Sequence, residues 1–195
     1  MKTFTNRQRE IIAAAIELIA EKGIQQLTIK NLAKKIGLAE GALYRHFDSK
    51  IDILLGILTL FEVNKSKALE RIKSLDDSDV LAKLQILFQE RFAQFIANPA
   101  IAAVIFSEEI FQNDKRLSDK VFAIMQESQA MVQKLIEKGQ QADQLRTDIS
   151  AAQLSLLITG ALRLLVTQWR LSGFVFDLQV EGNKLWDSIK QIVNK

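Results

Sequence analysis

The side chains best suited to chemistry lie between residues 27 and 50, in the run LTIKNLAKKIGLAEGALYRHFDSK. Arg45 carries a planar guanidinium whose paired N–H groups match a carboxylate, a phosphate or the O6/N7 edge of guanine. Lys30 adds a compact positive charge nearby. His46 is the one histidine of the chain, and there is no cysteine, so disulfides, thiolate metal sites and cysteine nucleophiles are excluded. Nothing in the sequence supplies the second histidine or paired acid that a metal site around His46 needs. The chain also holds no phosphate-binding loop, no HExxH and no nucleophile elbow. These residues point to binding. No catalytic residue, metal ligand or cofactor is expected.

What they would bind follows from the charge. Residues 1 to 50 hold nine Lys and Arg against five Asp and Glu, a net of +4, and the rest of the 195-residue chain carries −1. Attraction to phosphates supplies most nonspecific affinity for DNA, so a basic head on a near-neutral body suits double-stranded DNA.

The elements that must position Arg45 can be read from spacing. Ile11, Ile12, Ala15, Ile16, Leu18 and Ile19 recur at helical intervals from Asn6 until Gly23, where a left-handed C-terminal cap is expected. Thr28 can cap a short helix over residues 29–36, with Ile29, Leu32, Ala33 and Ile36 on one face. Gly37-Leu38-Ala39 forms a turn, and a third helix from Glu40 to His46 packs Leu43 and Phe47 inward. Ser49 then caps a fourth helix, with Asp52 in the capping-box position. Two short helices joined by a glycine turn are a helix-turn-helix. Its second helix presents Glu40, Gly41 and Ala42 to base edges in the major groove, with Arg45 one turn on, able to read a base or hold a phosphate.

Residues 27 to 50, with the Gly37-Leu38 turn and the Leu43-Tyr44-x-His46-Phe47-x-x-Lys50 ending, resemble the DNA-binding domain of the TetR family of transcriptional regulators. The resemblance covers about the first quarter of the chain. It implies that Tyr44, His46 and Lys50 clamp the DNA backbone together with Thr28, and that Lys30 reaches a base or phosphate. Such contacts fix register, and base contacts supply specificity. The chain departs from the family at Ala39, where a serine is usual, so the recognition helix lacks its side-chain cap and the phosphate contact of that hydroxyl.

The remainder is also helical in pattern, with one proline and eight glycines in the whole chain. The fourth helix is expected to run from Lys50 to about Leu75, and Ser78 to cap the next, whose Leu84, Leu87, Phe88, Phe92, Phe95 and Ile96 form a stripe ended by Asn98-Pro99. Helices over about 101–111, 115–140, 149–171 and 178–193 follow. The fold class is all-α with about nine helices: a three-helix helix-turn-helix domain over residues 1–50 and a helical effector-binding and dimerisation domain over 51–195.

Eleven of the fourteen aromatic residues lie beyond residue 50. Phe88, Phe92, Phe106, Phe111, Met125 and Trp169 are candidates to line an apolar pocket, with Gln129 and Arg163 as polar anchors for a hydrophobic or amphipathic small-molecule effector. Each of them can equally be bundle core.

The apolar run from Leu154 to Leu171 is broken by Arg163, Gln168 and Arg170, so a helix buried by the bundle core combined with a subunit interface is expected there and no membrane span. A single short recognition helix touches few base pairs, so specificity calls for a two-fold dimer on a palindromic operator. The resemblance places the homodimer interface on the last two helices. The start MKTFTNRQREII has no secretory apolar region, which leads to a cytoplasmic expectation. The competing reading is a helical protein-interaction or signalling module without sequence-specific DNA binding.

Overall fold

The computed structural model describes residues 4–63, 72, 75, 79–106 and 114–195. Among these residues there are nine α-helices and no strand: α1 Asn6–Lys22, α2 Ile29–Lys35, α3 Glu40–Tyr44, α4 Lys50–Val63, α5 Val80–Ala97, α6 Pro99–Ile105, α7 Lys115–Gln141, α8 Ala151–Leu171 and α9 Leu178–Val193. They fall into two compact units, Met1–Val63 with Asn98–Val121, and Asn64–Ala97 with Phe122–Lys195. Packing therefore draws α6 and the start of α7 into the first unit, beyond the residue-50 division by function.

In the first unit, Thr5 opens α1 with a full capping box: its hydroxyl accepts from the Gln8 N–H at 3.2 Å, and the Gln8 Oε1 accepts from the Thr5 N–H at 3.0 Å. Ile11, Ile12, Ala15, Leu18 and Ile19 are buried on the expected stripe. Gly23 ends the helix at φ 81°, ψ 161°. This corrects the left-handed cap: its φ is positive but its ψ is extended, a region essentially reserved for glycine. Thr28 caps α2 through the Asn31 N–H at 3.0 Å, and Gly37 turns the chain at φ 66°.

Helix α3 is shorter than expected, five residues ending at Tyr44, with His46 in the turn that follows. Leu43 and Phe47 are buried as their spacing requires. Ser49 accepts from the Asp52 N–H at 3.3 Å, but the Asp52 carboxylate turns to the Ser49 hydroxyl and to Arg116, at 3.0 Å, so the capping box is only half formed. A methyl group on Gly56 would stand 2.8 Å from Ile12 Cδ1, which shows how closely α4 approaches α1.

Ala39 caps α3 with no side-chain hydrogen bond. Ala39→Ser should restore an acceptor for the orphan N–H groups and raise unfolding free energy by about 1 kcal/mol, read from urea denaturation. An unchanged midpoint would show that those groups already have partners.

The second unit contains α5, α8, α9 and most of α7, with α5 packed on α9 and both against α8. Asp79 caps α5 by accepting from the Ala82 N–H at 2.9 Å. The expected cap, Ser78, and the expected extension of α4 towards Leu75 fall largely outside the described residues. Helix α8 opens at Ser150, whose hydroxyl accepts from the Gln153 N–H, and α9 opens at Asp177.

Candidate nucleic-acid interface and effector site

The recognition helix shows its polar side outward. Glu40, Gly41 and Arg45 are exposed, Ala42 is half-buried, and Tyr44 is 51% exposed, a large value for an aromatic ring. Around them stand exposed Thr28 and Lys30, and half-buried His46 and Lys50. Desolvation holds the Lys50 ammonium below the ordinary lysine pKa, a bias that a phosphate alongside it would reverse. Gly41 is informative. It has no neighbour within 4 Å of where a Cβ would sit. Glycine inside a helix costs about 1 kcal/mol relative to alanine, and nothing in the chain itself requires it there.

Ion pairing sorts the cations of this unit. Lys35 is drawn to Glu21 at 2.8 Å and Glu17 at 3.2 Å, which raises its pKa and lowers that of Glu21. Lys30, Lys34, Arg45 and Lys50 make no ion pair among the described residues. The positive charge left available is therefore concentrated on the helix-turn-helix segment.

In the second unit the proposed pocket residues divide. Phe88 and Phe92 meet edge to face at 4.9 Å, and Phe88 lies 5.7 Å from Trp186 of α9. Phe92 is fully buried over Gly182, where a Cβ would come within 2.5 Å of its ring. Trp169 is buried and stacks edge-on with Phe174 at 4.7 Å. These three are packed into the core of the unit. Met125 is exposed and accepts from Arg163 Nη1 at 3.2 Å, while Gln129 and Arg163 are half-buried. Phe106 is the half-buried C-cap of α6, in the first unit. Phe111 lies outside the described residues. A hollow of about 130 Å³ between α5 and α9 is lined by Ile86, Gln89, Glu90, Ala93 and Gln179, none of them among the eight.

Sequence reasoning missed Arg91. Its guanidinium is sunk between α5 and α7, donating to Gln94 Oε1 at 3.2 Å and Ser128 Oγ at 3.3 Å, and burial pushes its pKa down to about 10. The signal was present, because Arg91 stands three residues after Phe88 and four before Phe95, on the apolar stripe itself.

Helix α8 exposes a second surface. Leu156, Leu157, Leu164 and Leu171 are all more than half exposed, with Leu171 at 72%. This helix is long and apolar enough to cross a membrane, yet only 28% of its most apolar window is buried within the chain. Gly160, on the same side by spacing, has open space around it.

A helix-turn-helix with unpaired cations and an outward recognition helix, joined to a helical unit with buried cationic and aromatic groups, defines the class of ligand-responsive DNA-binding regulators. Comparison with known proteins makes this specific. Residues 11–57 match the family model for bacterial regulatory proteins of the tetR family, and residues 61–192 match the C-terminal region of YsiA-like proteins. The chain belongs to the TetR family and is a transcriptional regulator, not an enzyme. It is 25% identical to the fatty acid metabolism regulator protein of Bacillus subtilis over 187 residues, 95% of this chain and 94% of that one. It is also 25% identical over 162 residues to the nucleoid occlusion factor SlmA of Vibrio cholerae, covering 80% and 82% of the two chains. The crystal structure of FadR from Bacillus subtilis in complex with stearoyl-CoA superposes with a TM-score of 0.79 at 24% identity, over 95% of this chain and 97% of that one.

Proposed function

We propose that the protein is a cytoplasmic, homodimeric repressor that holds a palindromic operator and releases it when an acyl-chain effector binds the second unit. In this reading Glu40, Gly41, Ala42 and Arg45 face base edges, Thr28, Tyr44, His46 and Lys50 grip phosphates, and Lys30 reaches a base or phosphate. The observation that carries it is the outward side of α3: a glycine with nothing against it and an arginine with no ion pair, on a helix whose Leu43 is fully buried. Two copies join through α8 and α9, which would cover the exposed leucines and let backbones approach at Gly160.

An acyl thioester or fatty acid is favoured as effector by the fatty-acid regulators among the relatives and by the make-up of the second unit. Met125 and Gln129 stand one turn apart on α7 with Arg163 reaching Met125, and Arg91 adds a second cation on an apolar face. Phe88, Phe92 and Trp169 are packed core of the same unit. Release is then a population shift, in which effector affinity and operator affinity fall against each other by one coupling free energy.

The test is selection of duplexes from a random DNA library at fixed salt, followed by titration with stearoyl-CoA. A palindrome should be recovered, and Arg45→Ala should lower its affinity by about 1 to 3 kcal/mol, roughly five- to 150-fold, and relax preference at one base pair per half-site. Stearoyl-CoA should then displace the operator. A wild-type chain enriching no duplex would overturn the operator reading. An operator complex indifferent to stearoyl-CoA would remove the acyl effector and leave the DNA reading standing.

A further inference from the structure

The recognition helix is held at fewer points than its task demands. It has five residues, too few to be stable alone, and no side-chain N-cap at Ala39. Leu43 and Phe47 anchor it in the core, and the Leu43 carbonyl accepts from both the His46 N–H at 2.9 Å and the Phe47 N–H at 3.0 Å. Two anchors four residues apart define a line, about which the helix can still rock. Tyr44 and Arg45 lie between them in sequence and face outward, so a small rotation moves the base-reading side chain most.

A third point comes from a distant part of the chain. Gln8, in the first turn of α1, donates from Nε2 to the His46 carbonyl at 3.1 Å, across 38 residues of sequence. The same amide accepts the Thr5 N–H through Oε1 at 3.0 Å. One bond uses the oxygen and the other the nitrogen, so the amide orientation is determined and flipping it would break both. Gln8 thus ties down the turn that follows the recognition helix, satisfying a carbonyl one residue beyond the C-cap Arg45. The capping box holds Gln8 in turn against the start of a 17-residue helix whose apolar face is deeply buried.

We propose that Gln8 is a positioning residue for operator recognition: by tying the His46 carbonyl to the first turn of α1, it sets the rotation of α3 and hence where Arg45 points. The inference rests on the operator-binding reading above.

Gln8→Met tests it without changing charge. The variant removes both amide bonds, so Thr5→Ala serves as control, since it removes the hydroxyl half of the capping box and leaves the link to His46. Each variant is measured as the full-length protein against the selected operator and a random duplex of equal length across a salt series. Gln8→Met should lose about fivefold or more of operator affinity, in the range of one net hydrogen bond. Its random-duplex affinity should fall less than its operator affinity, and the slope of log affinity against log salt should stay near that of the wild type, because no cation is removed. Thr5→Ala should keep operator affinity within about twofold, the scatter of independent sites. Operator preference intact in Gln8→Met, or an equal loss in Thr5→Ala, would overturn the inference alone. A wild-type chain with no preferred duplex would overturn the regulator reading and this inference with it.

Discussion

Leu164→Arg should convert the protein into a folded monomer whose operator affinity is lower by about a hundredfold or more, the scale of gain from linking two binding events. Leu164 is 60% exposed in the single chain, seven residues from Leu157 and Leu171, and four from Gly160. An apolar band of this length, on a helix with only 28% of its window buried, is the surface that the proposed pairing of two copies would cover. In a two-fold dimer the contact is isologous, so one substitution places two guanidiniums near the axis, where desolvation and like charge oppose association together. Within the monomer the same arginine meets solvent, so the helical circular-dichroism signal and the thermal midpoint of the isolated chain should change little. Sedimentation gives the mass and filter binding gives the affinity. A dimer of unchanged affinity would move the interface off this face of α8. A monomer that still binds operator tightly would show that one head suffices.

Legibility from sequence depended on range. Thr28, Gly37, Ser49, Leu43 and Phe47 were readable because caps, turns and stripes are decided within one or two helical turns. Gly23 was recognisable as a helix end, but its extended ψ was not, since the α1-to-α2 connection sets it. The absence of a cap at Ala39 was visible in the sequence, whereas the tie beyond the other end of α3 was not: a bond from Gln8 to the His46 carbonyl joins a side chain to a backbone atom 38 residues away and leaves no mark on residue types. The Phe stripe of α5 shows the limit most clearly. Phe88 and Phe92 have the composition of a pocket wall, and what fixes them as core is the α9 surface, Gly182 and Trp186, about ninety residues on. Arg91 could have been found, because its position on that stripe is a local fact.

The Phe92–Gly182 contact also carries the largest expected loss of stability. Phe92→Ala empties a fully buried site and should cost about 3 to 5 kcal/mol, depending on how far α5 and α9 collapse into the space. Gly182→Ala is the sharper probe, because two effects compete in sign. Helix propensity alone favours alanine by about 1 kcal/mol. Against it, the new methyl would stand 2.5 and 2.6 Å from two carbons of the Phe92 ring, and that ring is pinned edge-on against Phe88. Overpacking of this kind typically costs about 1 to 3 kcal/mol, so the net change should be destabilising. If the clash is the cause, Phe92→Leu should relieve it, and the double variant should be more stable than the sum of the two single losses by about 1 kcal/mol or more. The cycle must be run by urea denaturation at one protomer concentration, since a dimer's stability depends on it. Additive losses, or a stabilising Gly182→Ala, would show that α9 can move aside, and the wall assigned to Phe88 and Phe92 would then be soft enough to admit a ligand between α5 and α9.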